Sequence, residues 1–413
     1  MKRICIIGGG PAGVMAAIAA AESGEKVTLI ERNDMLLKKL LLTGNGRCNY
    51  SNENITLDGY NFDESHLFSK ILEELDSKWL ENFFYENGML TKKQGDLMYP
   101  RSEKAETVRN TLIEILRENN VEILLSKKVV GVKSHIDGNA EKSDNMNIEK
   151  AFSLVFDDGT QTECSSIVIA TGGKAYPSTG SDGGGYRISR ELGHNVTFTY
   201  PVLTRLFTSD KDVLELAGVR FKGRVSALIE NETVGTQDGE IQFTDKGLSG
   251  ICVFNLSRFL SKAIEDKIEC EIAIDFLPEF SKEEINSFIK SHSKKCSKED
   301  PHSLLSKMTN EKIASLIIKR ANIKTFDEKA QKEIANLLKD FRVKISDHDS
   351  FSNAQITKGG VNIEEVSGDM QSLVSPGVFF AGEVLDVDGI CGGFNLHWAF
   401  ASGYKAGKKA AEE

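Results

Sequence analysis

Glycines at positions 8, 10 and 13, with a glutamate at 31, have the types and spacing that hold a dinucleotide. Gly8 allows a tight turn after an apolar run. Gly10 has no Cβ, so backbone can approach a pyrophosphate there. Gly13 lets a helix lie close on a strand. Pro11 and Ala12 open that helix, whose unpaired N–H groups and partial positive charge suit phosphate oxygens. Glu31 falls about 20 residues on, where a carboxylate accepts ribose hydroxyls. An acid at 31, rather than an arginine, argues against a 2′-phosphate and for FAD or NAD over NADP.

The elements that must position these residues can be read around them. Residues 2–7 (KRICII) form a strand, 14–21 an Ala-rich helix, and 26–30 a second strand ending at Glu31. The loop 43–49 follows. Gly44, Asn45 and Gly46 permit left-handed turns that open N–H groups to an anion. Arg47 adds a donor fork suited to phosphate, while Cys48 reads as a packed thiol. Residues 166–173 (SIVIATGG) form a buried strand ending in glycines. Residues 375–383 (SPGVFFAGE) form another, ending at Gly382 and Glu383. A carboxylate at that second strand end suits ribityl hydroxyls. An NAD dehydrogenase has no need of it, so the pair of acids selects FAD. Asp386 and Asp388 follow, and 392–396 opens a final helix. Its positive end is expected to face the flavin N1 and C2 carbonyl.

The chain has 413 residues, enough for two or three domains. Its net charge of −10 argues against a general nucleic-acid surface. No apolar run approaches membrane-spanning length. Lys2 and Arg3 precede apolar residues, but the glycine turn interrupts that stretch, so no signal peptide is read. Seven cysteines without a CxxC pair suggest reduced thiols and a cytoplasmic location. Composition changes after His194. The reading is α/β: a Rossmann-like FAD-binding domain formed by residues 1–195 and 355–413, with a domain inserted at 196–354. The insert reads as β-rich over 196–256 and 341–354 and helical over 257–340. Ser281-x-x-Glu284 and Thr325-x-x-Glu328 are expected capping boxes. His292, His302 and His348 lack metal-ligand spacing and read as surface residues, so no metal is expected. Residues 135–150 are polar and read as a hairpin tip.

At this point the motifs resemble a known family. GGGPAGVMAA, LLTGNGRCN, ATGG, TKGGV (357–361) and AGEVLDVDGICGGFNLHWAFASG (381–403) together are similar to the bacterial BaiN-type flavoproteins. These include aminoacetone-oxidase-like and bile-acid-dehydroreductase-like members. The resemblance covers nearly the whole chain. It implies a glutathione-reductase-like FAD domain with an inserted β-barrel and helical subdomain. It also implies noncovalent flavin contacts by residues 8–13, Glu31, Lys38, the loop from Gly44 to Asn49, Gly172, Glu383, Asp386, and Gly393 with Phe394, Asn395 and Leu396. Arg32, Val129, Ala170, Thr171 and Gly382 complete the expected cofactor set. The family commonly has Gln where this chain has His397, and FTHxGLSGP where it has FTDKGLSGI (243–251).

The expected activity is transfer of a hydride between flavin N5 and a small organic substrate, including reduction of a C=C bond in an enone or steroid-like molecule. The alternatives are an amine oxidase using oxygen and a flavin-binding regulator without turnover. No second GxGxxG domain exists for a nicotinamide, so NADH or NADPH would enter and leave the substrate site. Candidate acid–base residues are Tyr176, Arg205, Asp388 and His397. The expected partner is a small-molecule substrate, without nucleic acid or a membrane span, and the oligomeric state stays open.

Overall fold

The computed structural model describes residues 2–62, 65–135, 151–293, 301–323 and 325–413. Most of the polar tip expected over 135–150 lies outside them. The described chain forms two compact units, one from residues up to 200 with 356–413, the other from 201–355.

The first unit is built on a five-stranded parallel sheet. Its order is Val378–Phe380, Ser166–Ile169, Arg3–Ile7, Lys26–Ile30, Glu122–Leu124. The central strands are near-continuous apolar runs because both faces are covered. From Arg3–Ile7 the chain moves one way to Lys26–Ile30 and later returns on the other side at Ser166–Ile169. This reversal makes a crevice at the carboxyl end of the central strand, where ligands of such sheets bind. Because all five strands run parallel, the residues that follow Ile7, Ile30, Ile169 and Phe380 share one edge.

Helix Pro11–Glu22 is buried along most of its length, and helix Phe394–Glu412 packs beside it. The contact is backbone on backbone. A Cβ at Gly403 would lie 2.2 Å from the Ala12 carbonyl oxygen, and one at Gly407 would lie 2.0 Å from that of Ala16. The paired positions advance together, so the helices run in the same direction. Gly403 is nine residues into the final helix and Ala12 only one into the first. That lead of eight residues is roughly 12 Å at 1.5 Å per residue.

The second unit has its own apolar core. Its seven-stranded sheet runs Phe341–Ile345, Cys270–Asp275, Arg220–Ile229, Glu232–Phe243, Gly247–Ser249, Leu206–Phe207, Asp347–His348. The two outermost strands are consecutive in the chain with only Ser346 between them, so the sheet curls into a barrel. Helix Ile251–Glu265 packs on it.

Several expectations shift. The segment expected to be helical over 257–340 contains the strand Cys270–Asp275, whose CEIAID sequence alternates buried and half-buried residues at the period of a strand. The boundary moves from 195 to 200 because Thr197 is bonded into the first unit, its N–H donating to the Gly360 carbonyl at 2.8 Å. The Ser281–Glu284 capping box forms in both directions, at 2.8 and 3.2 Å. The Thr325 box does not. Asp327 caps helix Glu328–Lys339 instead, accepting from the Ala330 N–H at 2.9 Å. His348 is buried, not on the surface.

Gly407→Ala is expected to destabilise the protein. Alanine gains up to about 1 kcal/mol of helix propensity over glycine, but the added methyl forces two backbones apart, at about 1–3 kcal/mol or more. Urea denaturation monitored by far-UV circular dichroism measures the sign. A higher midpoint would refute the close packing.

Candidate cofactor and active site

Three glycines make the turn after the central strand and a fourth, Gly13, lies in the first turn of the helix that follows; they do different things. A Cβ at Gly8 would lie 2.4 Å from the Ala170 carbonyl oxygen, and one at Gly13 would lie 1.8 Å from that of Gly8. A Cβ at Gly9 would strike Leu36 Cδ2 at 2.4 Å. These three are needed for packing. At Gly10 a Cβ would meet nothing within 4 Å. Its open side faces away from the protein, which fits a phosphate held at the helix N-terminus. Pro11 occupies the first helical turn, and no acid there offsets the positive end. The chain therefore has a cradle suited to a dinucleotide phosphate.

Glu31 is buried behind the same turn. One oxygen accepts the Gly9 N–H at 2.7 Å, and the other accepts the Asn33 N–H and Nδ2, at 2.8 and 2.7 Å. The acid thus braces the glycine turn while standing at the end of its strand. Asn33 was not singled out from the sequence. Arg32 and Lys128 both pair with Asp182. Burial opposes ionisation of Asp182, but these cations win and hold it at about 2. The Arg32 guanidinium also donates to the Gly180 carbonyl at 3.2 Å. Arg32, expected in the cofactor set, is committed to that loop. Val129 is buried, and the neighbouring Val130 carbonyl accepts from Arg187 at 2.6 Å.

The loop after Lys39 turns as its composition requires, with φ of +56° at Gly44, +61° at Asn45 and +82° at Gly46. Arg47 lies 4.9 Å over the Tyr99 ring and donates to the Gly44 carbonyl at 3.3 Å. Cys48 is fully buried, and burial pushes its thiol up to about 12. It is inert at neutral pH, so any cofactor contact from Cys48 comes from its backbone. Asn49 Oδ1 accepts the Met98 N–H at 3.2 Å.

At the last strand end, Glu383 is held on both sides. Lys39 Nζ reaches one oxygen at 2.8 Å, and the Thr357 N–H donates to the other at 2.8 Å. The lysine that meets this acid is Lys39; Lys38, its neighbour in the chain, is the one expected against the flavin. Thr357 Oγ1 in turn accepts the N–H groups of Lys174 and Ala175, at 2.8 and 3.0 Å, beyond Ala170, Thr171 and Gly172. The Gly382 N–H donates to Ser402 Oγ at 3.0 Å, tying this strand end to the final helix. Asp386 accepts the Gly359 N–H at 3.0 Å and the Thr197 hydroxyl at 2.8 Å. Burial raises its pKa, and the Thr197 bond opposes that rise. Tyr186, also missed in the sequence, is 2% exposed, and its hydroxyl has no hydrogen-bond partner among the described residues. Burial, then the nearby carboxylates of Glu383 and Asp386, raise its pKa.

Gly393 caps the final helix, whose first turn carries no acid. The N–H groups of Phe394, Asn395 and Leu396 have no intrahelical acceptor. The Phe394 ring sits against Gly59, and the Asn395 amide is tied to Gly389, donating at 2.9 Å and accepting at 2.8 Å. These two residues therefore offer a ligand only backbone.

The four acid–base candidates have different surroundings. Tyr176 is half-buried with φ +57°, and its carbonyl accepts from Thr179. Arg205 lies in the inserted unit, bidentate on Asp349 at 2.8 and 2.9 Å. Asp388 is fully buried, its N–H donating to Asn61 Oδ1 at 2.9 Å. His397 is fully buried between Ser51 Oγ and the Leu75 carbonyl, each at 2.9 Å. Its Nε2–H donates to Leu75, so Nδ1 accepts from Ser51. Burial lowers its pKa to about 4, with the Leu75 carbonyl opposing. Asp388 and His397 are both closed off from solvent.

A model of the HI0933-like protein Rossmann domain matches residues 2–409. The chain belongs to that family. It is 34% identical over 421 residues to the 3-dehydro-bile acid delta(4,6)-reductase of Clostridium scindens, with both chains covered completely. It is 29% identical over 408 residues to the ribosomal RNA dihydrouridine synthase of Escherichia coli, covering 97% of this chain and 95% of the other. The 3-ketosteroid delta1-dehydrogenase of Sterolibacterium denitrificans superposes over the whole of both chains with a TM-score of 0.50 at 10% identity, which supports the fold alone. Fold, family and the reductase relationship agree on the class, an FAD-dependent oxidoreductase. No described helix is long and apolar enough to cross a membrane.

Two outcomes follow from this geometry. Lys39→Met is expected to weaken FAD binding roughly tenfold, the loss typical of a charge-assisted bond. Lys38→Met should change it little. Titration of the apoproteins measures both, and equal effects would overturn the assignment to Lys39. His397 is held neutral, so the folded state binds fewer protons than the unfolded state below pH 6.5, the group's ordinary value. Stability is complete above that pH and falls as pH drops towards about 4, by roughly 3 kcal/mol in total. His397→Gln, whose amide can serve both partners, should flatten this acid limb in urea titrations. An unchanged slope would place the proton uptake elsewhere.

Proposed function

We propose that this protein reduces a C=C bond conjugated to a carbonyl in a steroid-like enone, with NADH or NADPH as the transient electron donor. FAD, held noncovalently, supplies hydride transfer at its N5 when bound. The observation that carries the reading is the full-length relationship to a bile-acid reductase, in a chain whose own strand ends form a dinucleotide cradle. The name of the Clostridium scindens relative describes reduction of delta(4,6) unsaturation in a 3-dehydro-bile acid. The net charge of −10 favours the small molecule over RNA.

The chain's residues divide the work of holding the cofactor. Gly10 admits a phosphate to the N-terminus of helix Pro11–Glu22. Glu31 and Glu383 supply acceptors at two strand ends, the second neutralised by Lys39. The final helix begins roughly 12 Å ahead of the first, so a second positive end is available beyond the phosphate site. A positive helix end stabilises negative charge most where water is excluded.

The test is anaerobic reduction of the holoprotein by NADH or NADPH, then reoxidation by androst-4-ene-3,17-dione, by aminoacetone with oxygen, or by a uridine-containing RNA. Reoxidation by the enone is expected. Turnover of aminoacetone alone would favour an amine oxidase, turnover of RNA alone a uracil reductase, and none at all a flavin-binding regulator. Gly10→Val should yield colourless protein, and normal flavin content in that variant would refute the cradle.

A further inference from the structure

The segment joining the first unit to the inserted one is tied down by several hydrogen bonds. The Thr197 N–H donates to the Gly360 carbonyl at 2.8 Å, and the Gly360 N–H donates back to Thr197 Oγ1 at 3.0 Å. That hydroxyl also donates to Asp386 at 2.8 Å, while Lys174 Nζ donates to Thr199 Oγ1 at 2.9 Å. Gly359 lies flush against the same segment, since a Cβ there would sit 2.1 Å from the Phe198 carbonyl oxygen. The side chain carried by this rigid backbone is Phe198, which is 74% exposed. Its ring lies 5.1 Å from that of Tyr200. Asp386 and Lys174 lie in the loops after strands Val378–Phe380 and Ser166–Ile169, so the segment that carries the aromatic pair is anchored to loops at the carboxyl edge of the sheet.

A large apolar ring held outward by so many bonds wants an apolar cover. Two rings offer at most about 150–250 Å² each, well below the roughly 800 Å² per partner of a stable protein interface. The area fits one small alicyclic molecule.

We propose that Phe198, with Tyr200 beside it, is the platform against which the apolar face of a steroid-like substrate packs, and so a specificity-determining residue. This rests on the enone reading above. The test uses the holoenzyme and a ligand that cannot be reduced at C=C, 5α-androstane-3,17-dione, measured by equilibrium dialysis. Phe198→Ala should raise the dissociation constant roughly tenfold, with FAD content and thermal midpoint unchanged. Phe198→Tyr should stay within about threefold of wild type. Equal affinity in wild type and Phe198→Ala, or a wild type that does not bind the steroid, overturns the platform. If 5α-androstane-3,17-dione binds but androst-4-ene-3,17-dione does not reoxidise the reduced flavin, the enone reading falls and the platform stands.

Discussion

The direct contact of two helix backbones sets the geometry on which the cofactor site depends. Gly403 and Gly407 on the last helix leave no side chain between it and Ala12 and Ala16 on the first. Only glycine permits that spacing. It fixes the last helix in register along the first, and so fixes both helix starts relative to the sheet. The Ser402 hydroxyl, one residue before Gly403, accepts the Gly382 N–H and carries the same register to the strand end bearing Glu383. Residues far apart in the chain thus reach one edge of the sheet through a packing constraint made of missing atoms.

The local half of this arrangement is legible in the sequence. A strand, a glycine turn, a helix and a terminal acid declare themselves within thirty residues, because their physics is short-ranged. The loop at Gly44 to Gly46 is equally legible, since few residues accept successive left-handed conformations. What connects distant segments is not legible. Lys39 meets Glu383 across 344 residues of sequence, and nothing local separates Lys39 from Lys38. His397 looks chemically useful as a letter, yet its burial and two hydrogen bonds make it a brace between Ser51 and Leu75. Strand Cys270–Asp275 was hidden by the helical segments around it, although its alternation was there to be counted.

Charge at the cofactor edge follows a consistent logic. Each acid at a strand end already has a donor or a cation: Asn33 and Gly9 for Glu31, Lys39 for Glu383, Thr197 and Gly359 for Asp386. Such carboxylates are oriented before any ligand arrives, which lowers the entropy lost on binding. The exceptional group is the Tyr186 phenol, buried near two of these acids with no hydrogen-bond partner among the described residues. Burying an unsatisfied hydroxyl costs about 1–3 kcal/mol, a strain kept at the cofactor edge.

The split of the first unit also bears on how the molecule assembles during synthesis. The inserted unit finds all of its core between residues 201 and 355, so it can fold as soon as that stretch has left the ribosome. The parallel sheet cannot finish then. Its outer strand Val378–Phe380 and the helix that seals Ala12 and Ala16 have not yet been made. The nascent chain therefore carries a completed barrel and an unfinished sheet, whose edge is filled only after translation has passed the glycines of the last helix.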